Sequence, residues 1–227
     1  MSVTYAKGFL ASGVEAGLKA KGKCFALIVN SGPSDACANV FTSNRALANP
    51  VIWSQEVSKT GKARAVAINS GGANCFTGPQ GFQLTHKTAE RAAELLNFAP
   101  IEVLVASTGL IGEQLDESKI MLGLESASKS LSDSGGYLAA EAMMTTDSVH
   151  KHAIRDGSGY SIGGIAKGAG MLAPALATML VFITTDASID STKLQKHLQL
   201  AVEKSFNRLD SDGCTSTNDH VMLMANG

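Results

Sequence analysis

The chain has 227 residues, 44% of them apolar, with 19 basic residues against 20 acidic ones and a net charge of −1. That length admits one or two domains with a sizeable core, and the apolar share excludes wholesale disorder. The near-neutral balance excludes the charge footprint of a nucleic-acid or acidic-membrane binder, so neither partner is expected.

The opening stretch, MSVTYAKGFLASGVEAG, has no basic segment followed by an apolar one, so no secretory leader is expected. Beyond it, β-type and helix-type runs alternate, which predicts an α/β fold. Strands rich in Val, Ile and Ala are expected at Phe25–Asn30, Ala38–Thr42 and Ala63–Asn69. A helix over Gly81–Leu96 leads to a strand at Glu102–Ser107, then to helices over Ser118–Leu131 and Tyr137–Met144. Strands follow at Ser161–Ala166 and Met179–Thr185. The last helix, Ser191–Arg208, opens behind Asp190 as its N-cap and places Leu194, Leu198, Ala201 and Val202 on one face. A final strand, His220–Ala225, runs into Asn226-Gly227, a type I′ hairpin signal with no return strand, which suggests an incomplete chain. The longest near-apolar run, Gly168 to Ile183, falls short of the roughly 18–20 residues of a spanning helix. A soluble cytoplasmic protein is expected.

Several motif-like stretches are expected to carry no chemistry. Cys24, Cys37, Cys75 and Cys214 form no CxxC pair and read as small buried hydrophobes in a reducing compartment. GLKAKGKC (Gly17–Cys24) mimics a P-loop, but it precedes a strand where a P-loop follows one, and Cys stands where Ser or Thr holds magnesium. DSDGCTSTND (Asp210–Asp219) misplaces the glycine and the closing glutamate of a calcium loop and reads as an Asp-Gly turn. SGGAN (Ser70–Asn74) reads as an architectural turn after a strand. His150 and His152 flank Lys151 in what reads as a polar, solvated loop.

Residues 163–186, GGIAKGAGMLAPALATMLVFITTD, allow two readings. In one, Thr178 is merely the first residue of a buried strand. In the other it is an internal nucleophile. Its hydroxyl attacks the Ala177 carbonyl, the acyl group shifts from nitrogen to oxygen, and water cuts the ester. Thr178 then carries a free α-amine, whose pKa of roughly 7.7–8 leaves a neutral fraction to deprotonate its own hydroxyl. The glycines permit the unusual backbone angles such chemistry needs. Upstream, IEVLVASTGLIG ends a strand at Thr108 and Gly109. These supply either a hydroxyl and an N–H for a tetrahedral oxyanion, or an ordinary strand-to-helix turn capped by Thr108.

Seven blocks, GFLASGVEAGLK, VFTSNRALANPV, NSGGANCFTGPQGF, VASTGLIG, AMMTTD, GGIAKGAGMLAPALATML and LDSDGCTSTND, occur in this order. Together they resemble, essentially end to end, the ornithine acetyltransferases (bifunctional glutamate N-acetyltransferases) of arginine biosynthesis. The resemblance implies that Thr178 is both self-cleavage residue and acetyl-accepting nucleophile, cut from Ala177. It also implies that Thr108 and Gly109 form the oxyanion hole, and that Thr145 and Lys167 bind the amino-acid substrate, with Thr146 a rival for Thr145. A lysine suits the substrate α-carboxylate as a point charge.

The implied reaction is two-step: N-acetylornithine acetylates Thr178 and ornithine leaves, then glutamate takes the acetyl group. Some family members accept acetyl-CoA as first donor, as a substrate; no metal or organic cofactor is implied. The implied fold is a layered α/β sandwich. Its α chain is residues 1–177, and its β chain starts at Thr178 and stays associated, the two chains pairing again into a heterotetramer.

One departure stands out. The family's second chain is about as long as its first, whereas Thr178 to Gly227 supplies 50 residues. The family's acidic substrate-binding residue and C-terminal polar pair lie beyond, and His220–Ala225 is expected to lose its sheet partner and present an unpaired edge. Two alternatives therefore stay open: an aminopeptidase-like hydrolase in which water resolves the acyl-threonine, and an inactive, unprocessed fragment.

Overall fold

The computed structural model describes residues 2–171 and 179–227. In chain order the strands are β1 (Phe9–Val14), β2 (Phe25–Asn30), β3 (Ala36–Phe41), β4 (Ala65–Asn69), β5 (Val103–Ser107), β6 (Lys151–Asp156), β7 (Ser161–Lys167), β8 (Leu180–Thr185) and β9 (His220–Ala225). The helices are α1 (Asn49–Ser58), α2 (Gly78–Leu96), α3 (Glu117–Lys129), α4 (Gly136–Ala142) and α5 (Ser191–Lys204). A four-stranded sheet runs β1-β2-β4-β5 and a five-stranded one β3-β9-β8-β7-β6. Each holds one parallel pair, β4–β5 and β8–β9, joined through α2 and α5 respectively. Such pairs need a crossover, and a helix supplies it.

Period-2 alternation sorts the strand residues into layers. Ala26, Ile28, Val66, Ile68, Leu104 and Ala106 of the first sheet meet Leu180, Phe182, Met222 and Met224 of the second in a shared inter-sheet core. The opposite face of the first sheet, with Phe25, Leu27 and Val105, packs under α2 and α3 through Leu84, Ala92, Ile120 and Leu124. On the second sheet's outer face, Val181 and Val221 pack under Leu194, Leu198 and Val202 of α5. The architecture is a helix–sheet–sheet–helix sandwich.

Three elements escape the hydrophobic pattern. α1 buries Pro50, Val51, Ser54 and Val57, a stripe interrupted by a serine. Ser54 Oγ donates to the Val105 carbonyl (2.8 Å) and accepts from the Val105 N–H (3.0 Å), while Trp53 Nε1 donates to the Val103 carbonyl (3.0 Å). The helix therefore seals the edge strand β5, a device that protects unpaired backbone. β1 carries Ser12 and Gly13 among buried residues and shows no alternation. β6, KHAIRD, is exposed along its whole length, as charged edge strands are.

Three expectations are corrected. His220–Ala225 is no unpaired edge; β9 lies between β3 and β8, bonded to each. Asn226 extends the β8–β9 pairing by one residue: its N–H donates to the Thr185 carbonyl (3.1 Å) and its side chain to the Lys7 carbonyl (2.9 Å). His152 belongs to a strand where a loop is expected, though both it and His150 are exposed as expected, packing on the Tyr137 ring. Cys24, Cys37 and Cys75 are buried, but Cys214 is exposed. Its turn keeps the expected form, with Gly213 at φ +68° and its N–H donating to Asp210. Among the described residues, no helix is long and apolar enough to cross a membrane.

Gly13 and Gly135 let β1 and the start of α4 touch backbone to backbone: a methyl at Gly13 would overlap the Leu138 carbonyl, and one at Gly135 the Ala11 carbonyl. Gly13→Ala is expected to lose about 1–3 kcal/mol in denaturant unfolding. Gly164→Ala, whose methyl would sit 3.5 Å from the nearest atom, is expected to stay near wild type.

Candidate functional site

The pairing directions of the strands bring several ends to one side of the sandwich. β1, β4 and β5 point the same way. β7 runs antiparallel to β8, so β7 ends where β8 and β9 begin. At this end lies a cavity of about 610 Å³. Its lining includes Thr108 and Gly109 after β5, Thr145 and Thr146 after α4, and Lys167 closing β7. The structure thus gathers these positions around one space, and places the rival Thr146 there beside Thr145. Ala177 and Thr178 lie outside the described residues.

Lys167 is 2% exposed, and its Nζ donates to Thr108 Oγ1 (3.2 Å), which is equally buried. Burial pushes the Lys167 ammonium below the usual lysine range; the charges of Asp147 and Asp219 oppose this, while Lys151 and Lys19 add to it. Thr108 caps no helix. The next helix, α3, is capped by Asp116, which accepts from the Lys119 N–H (3.2 Å). Instead the Thr108 N–H donates to the Asn69 carbonyl (3.0 Å), and Gly109 takes φ +131°, where a methyl would strike the Gly72 backbone. Only glycine takes that conformation without strain.

Asp147 joins two of the loops. It accepts from Lys151 Nζ (2.5 Å), the Gly168 N–H (2.9 Å) and the Thr145 N–H (3.2 Å). Burial favours its neutral acid, but Lys151, the two N–H groups and Lys167 together outweigh that and hold it below the usual carboxylate range.

Asp219 lies where β8 and β9 start. One carboxylate oxygen accepts from the Met179 N–H (2.8 Å), while the other is buried with no short hydrogen bond, the Ser216 and Thr42 hydroxyls acting on the carboxyl from nearby. Burial pushes this carboxyl up to about 7, against the pull of the Met179 N–H, the Ser216 hydroxyl, the Lys167 charge and the Thr42 hydroxyl. Next to it, burial alone lowers His220 to about 3; its Nε2 is 2.8 Å from Asn39 Oδ1.

Sequence reasoning missed Lys19, Asp147, Asn218 and Asp219. Lys19 sat in the discarded P-loop mimic, Asp147 in the quoted MTTD block, and the last two in the discarded calcium-loop mimic. Asn218 Nδ2 ties the loops together by donating to the Ala73 (2.7 Å) and Ser107 (2.8 Å) carbonyls. Ser70 and Gly71, read as architectural, also line the cavity. Among the described residues, no three His, Cys, Asp or Glu side chains are grouped to hold a metal ion.

Because the fold raises the Asp219 pKa from its unfolded value to about 7, its contribution to stability is full below the unfolded pKa and is lost as pH rises through 7. Asp219→Asn mimics the neutral acid and keeps an acceptor for Met179. It is expected to out-stabilise wild type at pH 8 in chemical denaturation, with the gap closing near pH 4. A gap independent of pH would contradict this.

Known proteins supply the comparison. The ArgJ family profile matches residues 10–227. The "arginine biosynthesis bifunctional protein ArgJ" of Streptomyces coelicolor is 54% identical over the whole of this chain and 60% of its own length. The chain thus spans about 60% of the length of the curated relatives it matches. Among solved structures, ornithine acetyltransferase of Mycobacterium tuberculosis, complexed with ornithine, is 48% identical with a TM-score of 0.76. That match covers 78% of this chain and 96% of the other. An aminopeptidase of Ochrobactrum anthropi, described as a variant of the Ntn hydrolase fold, is 13% identical with a TM-score of 0.57 over 99% of this chain and 73% of its own, a likeness of fold alone. With a layered α/β sandwich and a family match over nearly its full length, this chain belongs to the ArgJ family.

Proposed function

We propose that the cavity is an acetyl-transfer site, moving the acetyl group of N-acetylornithine to glutamate through an acetyl-threonine at residue 178. The observation that carries this reading is the convergence on one cavity of Thr108, Gly109, Thr145 and Lys167, from loops distant in sequence. Thr178 directly precedes Met179, whose N–H is held by Asp219 at the start of β8. In the proposed scheme the Thr178 hydroxyl first attacks the Ala177 carbonyl, the C–N bond breaks as its nitrogen gains the proton, and water hydrolyses the ester. Residues 1–177 and 178–227 become separate, associated chains.

In the transfer itself, the neutral α-amine of Thr178 takes the hydroxyl proton as the oxygen attacks the acetyl carbonyl. The Thr108 hydroxyl and the Gly109 N–H receive the oxyanion. Lys167 assists through its observed bond to Thr108. By donating to Oγ1, the ammonium leaves the Thr108 proton free for the oxyanion and polarises that O–H further. Remaining Lys167 donors suit the substrate α-carboxylate, in a site whose burial strengthens the attraction. Ornithine leaves as its nitrogen takes the proton held by the α-amine; the glutamate amine then attacks the acetyl ester, the C–O bond to Thr178 breaks, and the proton lost by the glutamate nitrogen passes through the α-amine to the Thr178 oxygen. Acetyl-CoA as an alternative donor and a heterotetrameric assembly belong to the same reading, as does a cytoplasmic setting.

Intact mass of the purified chain beside Thr178→Ala is the test. Wild type is expected as pieces of 177 and 50 residues, the second gaining one acetyl group with N-acetylornithine, and the variant is expected whole. An uncut, unacetylated wild type would overturn the reading for this polypeptide, and release of acetate without glutamate would place it with the hydrolases. Where transfer is measured, Thr108→Ala is expected to lose about 10²–10³ in rate, the cost of one oxyanion donor.

A further inference from the structure

The cavity has a second cation that the proposed chemistry leaves unused. Lys19 follows β1 and lines the wall together with Lys167 and Thr145. Its Nζ donates to the Met144 carbonyl (3.0 Å), a neutral acceptor that engages one of three protons and none of the charge. Among the described residues, no carboxylate forms an ion pair with Lys19. Glu141, whose charge reaches it, pairs with Lys23 at 3.0 Å. Burial lowers the Lys19 ammonium below the usual range, and its charge adds to the lowering of Lys167. Two partly desolvated ammonium groups thus repel one another across a shared space whose wall also carries Leu18, Ala20 and Leu110. An anionic ligand between them relieves desolvation and repulsion at once.

We propose that Lys19 is the specificity-determining residue of this cavity, binding the side-chain carboxylate of a dicarboxylic amino acid whose α-carboxylate lies on Lys167. The proposal rests on the amino-acid-site reading above and adds the choice of acceptor to it. One site must take, in turn, a donor ending in an ammonium and an acceptor ending in a carboxylate. A lysine suits that alternation: its long stem withdraws onto the Met144 carbonyl when a cationic chain occupies the cavity, and extends when an anionic one does.

Calorimetric titration of the 227-residue chain with L-glutamate, L-glutamine and L-ornithine tests this, since glutamate and glutamine share a shape and differ in charge. Wild type is expected to bind glutamate about tenfold or more tightly than glutamine, the value of one charge-assisted bond. Lys19→Gln should erase that preference while glutamine affinity holds, Lys19→Arg should keep it, and Lys19→Glu should turn it toward ornithine. Equal weakening of glutamate and glutamine in Lys19→Gln, or no preference in wild type, would overturn the proposal and leave the amino-acid site standing. If wild type binds none of the three, the amino-acid site itself fails. Lys167→Met separates the two lysines, because it should weaken every ligand alike. Thermal melts of each variant establish that the fold is kept.

Discussion

Burying the Lys167 ammonium is the constraint around which this end of the sandwich is organised. A buried cation without partners costs several kcal/mol, and β7 offers no side-chain counter-charge at that position. Relief comes from three other places: Thr108 at the end of β5, Asp147 before β6, and Asp219 before β9. None of them is useful unless the two sheets stack so that β5 and β7 end together. Satisfying one charge therefore sets the relative placement of four chain segments, and those segments enclose the cavity.

The loops are held by polar groups that look incidental when taken singly. Asp147 spends its carboxylate on the Gly168 and Thr145 N–H groups and on Lys151, which pins the loop after α4 to the exit of β7. Asn218 bridges the Ala73 and Ser107 carbonyls, tying the approach to β9 to the exits of β4 and β5. Asn69 accepts from the Gly71 and Gly72 N–H groups and donates to Ser107 Oγ (2.5 Å), fixing the turn against which Gly109 lies. Buried polar groups of this kind are costly unless fully paired, which gives a fully paired network a single geometry. Asp219 is the exception, with one oxygen bonded to the Met179 N–H and the other without a short hydrogen bond, and it holds the residue that directly follows Thr178.

Edges explain most of what the hydrophobic pattern failed to announce. β6 is read as a loop because every residue of KHAIRD faces water, and it is a strand only because β7 supplies a backbone partner. α1 covers the rim of β5 with a serine and a tryptophan donor, so its buried stripe is part polar and lacks the apolar periodicity of α2 or α5. β1 packs so closely on α4 that Gly13 replaces an apolar residue in its middle. The final strand, taken from sequence as an orphaned edge, is interior because β3, from far upstream, pairs with its other side.

By itself the sequence determined the alternation of strands and helices, the Val-, Ile- and Ala-rich strands that became β2, β4 and β5, the Asp190 cap, and the resemblance that led to the family. Each of these is written in side chains close together in the chain: periodicity, capping chemistry and contiguous motif blocks. It did not show that Thr108 and Lys167, 59 residues apart, share a hydrogen bond, or that Lys19 faces the same cavity. Nor did it separate the working part of the DSDGCTSTND block, its last two residues, from the turn before them. Those outcomes depend on backbone pairing between remote strands and on the need to neutralise a buried charge. Neither leaves a mark in local sequence, so only the tertiary structure could decide them.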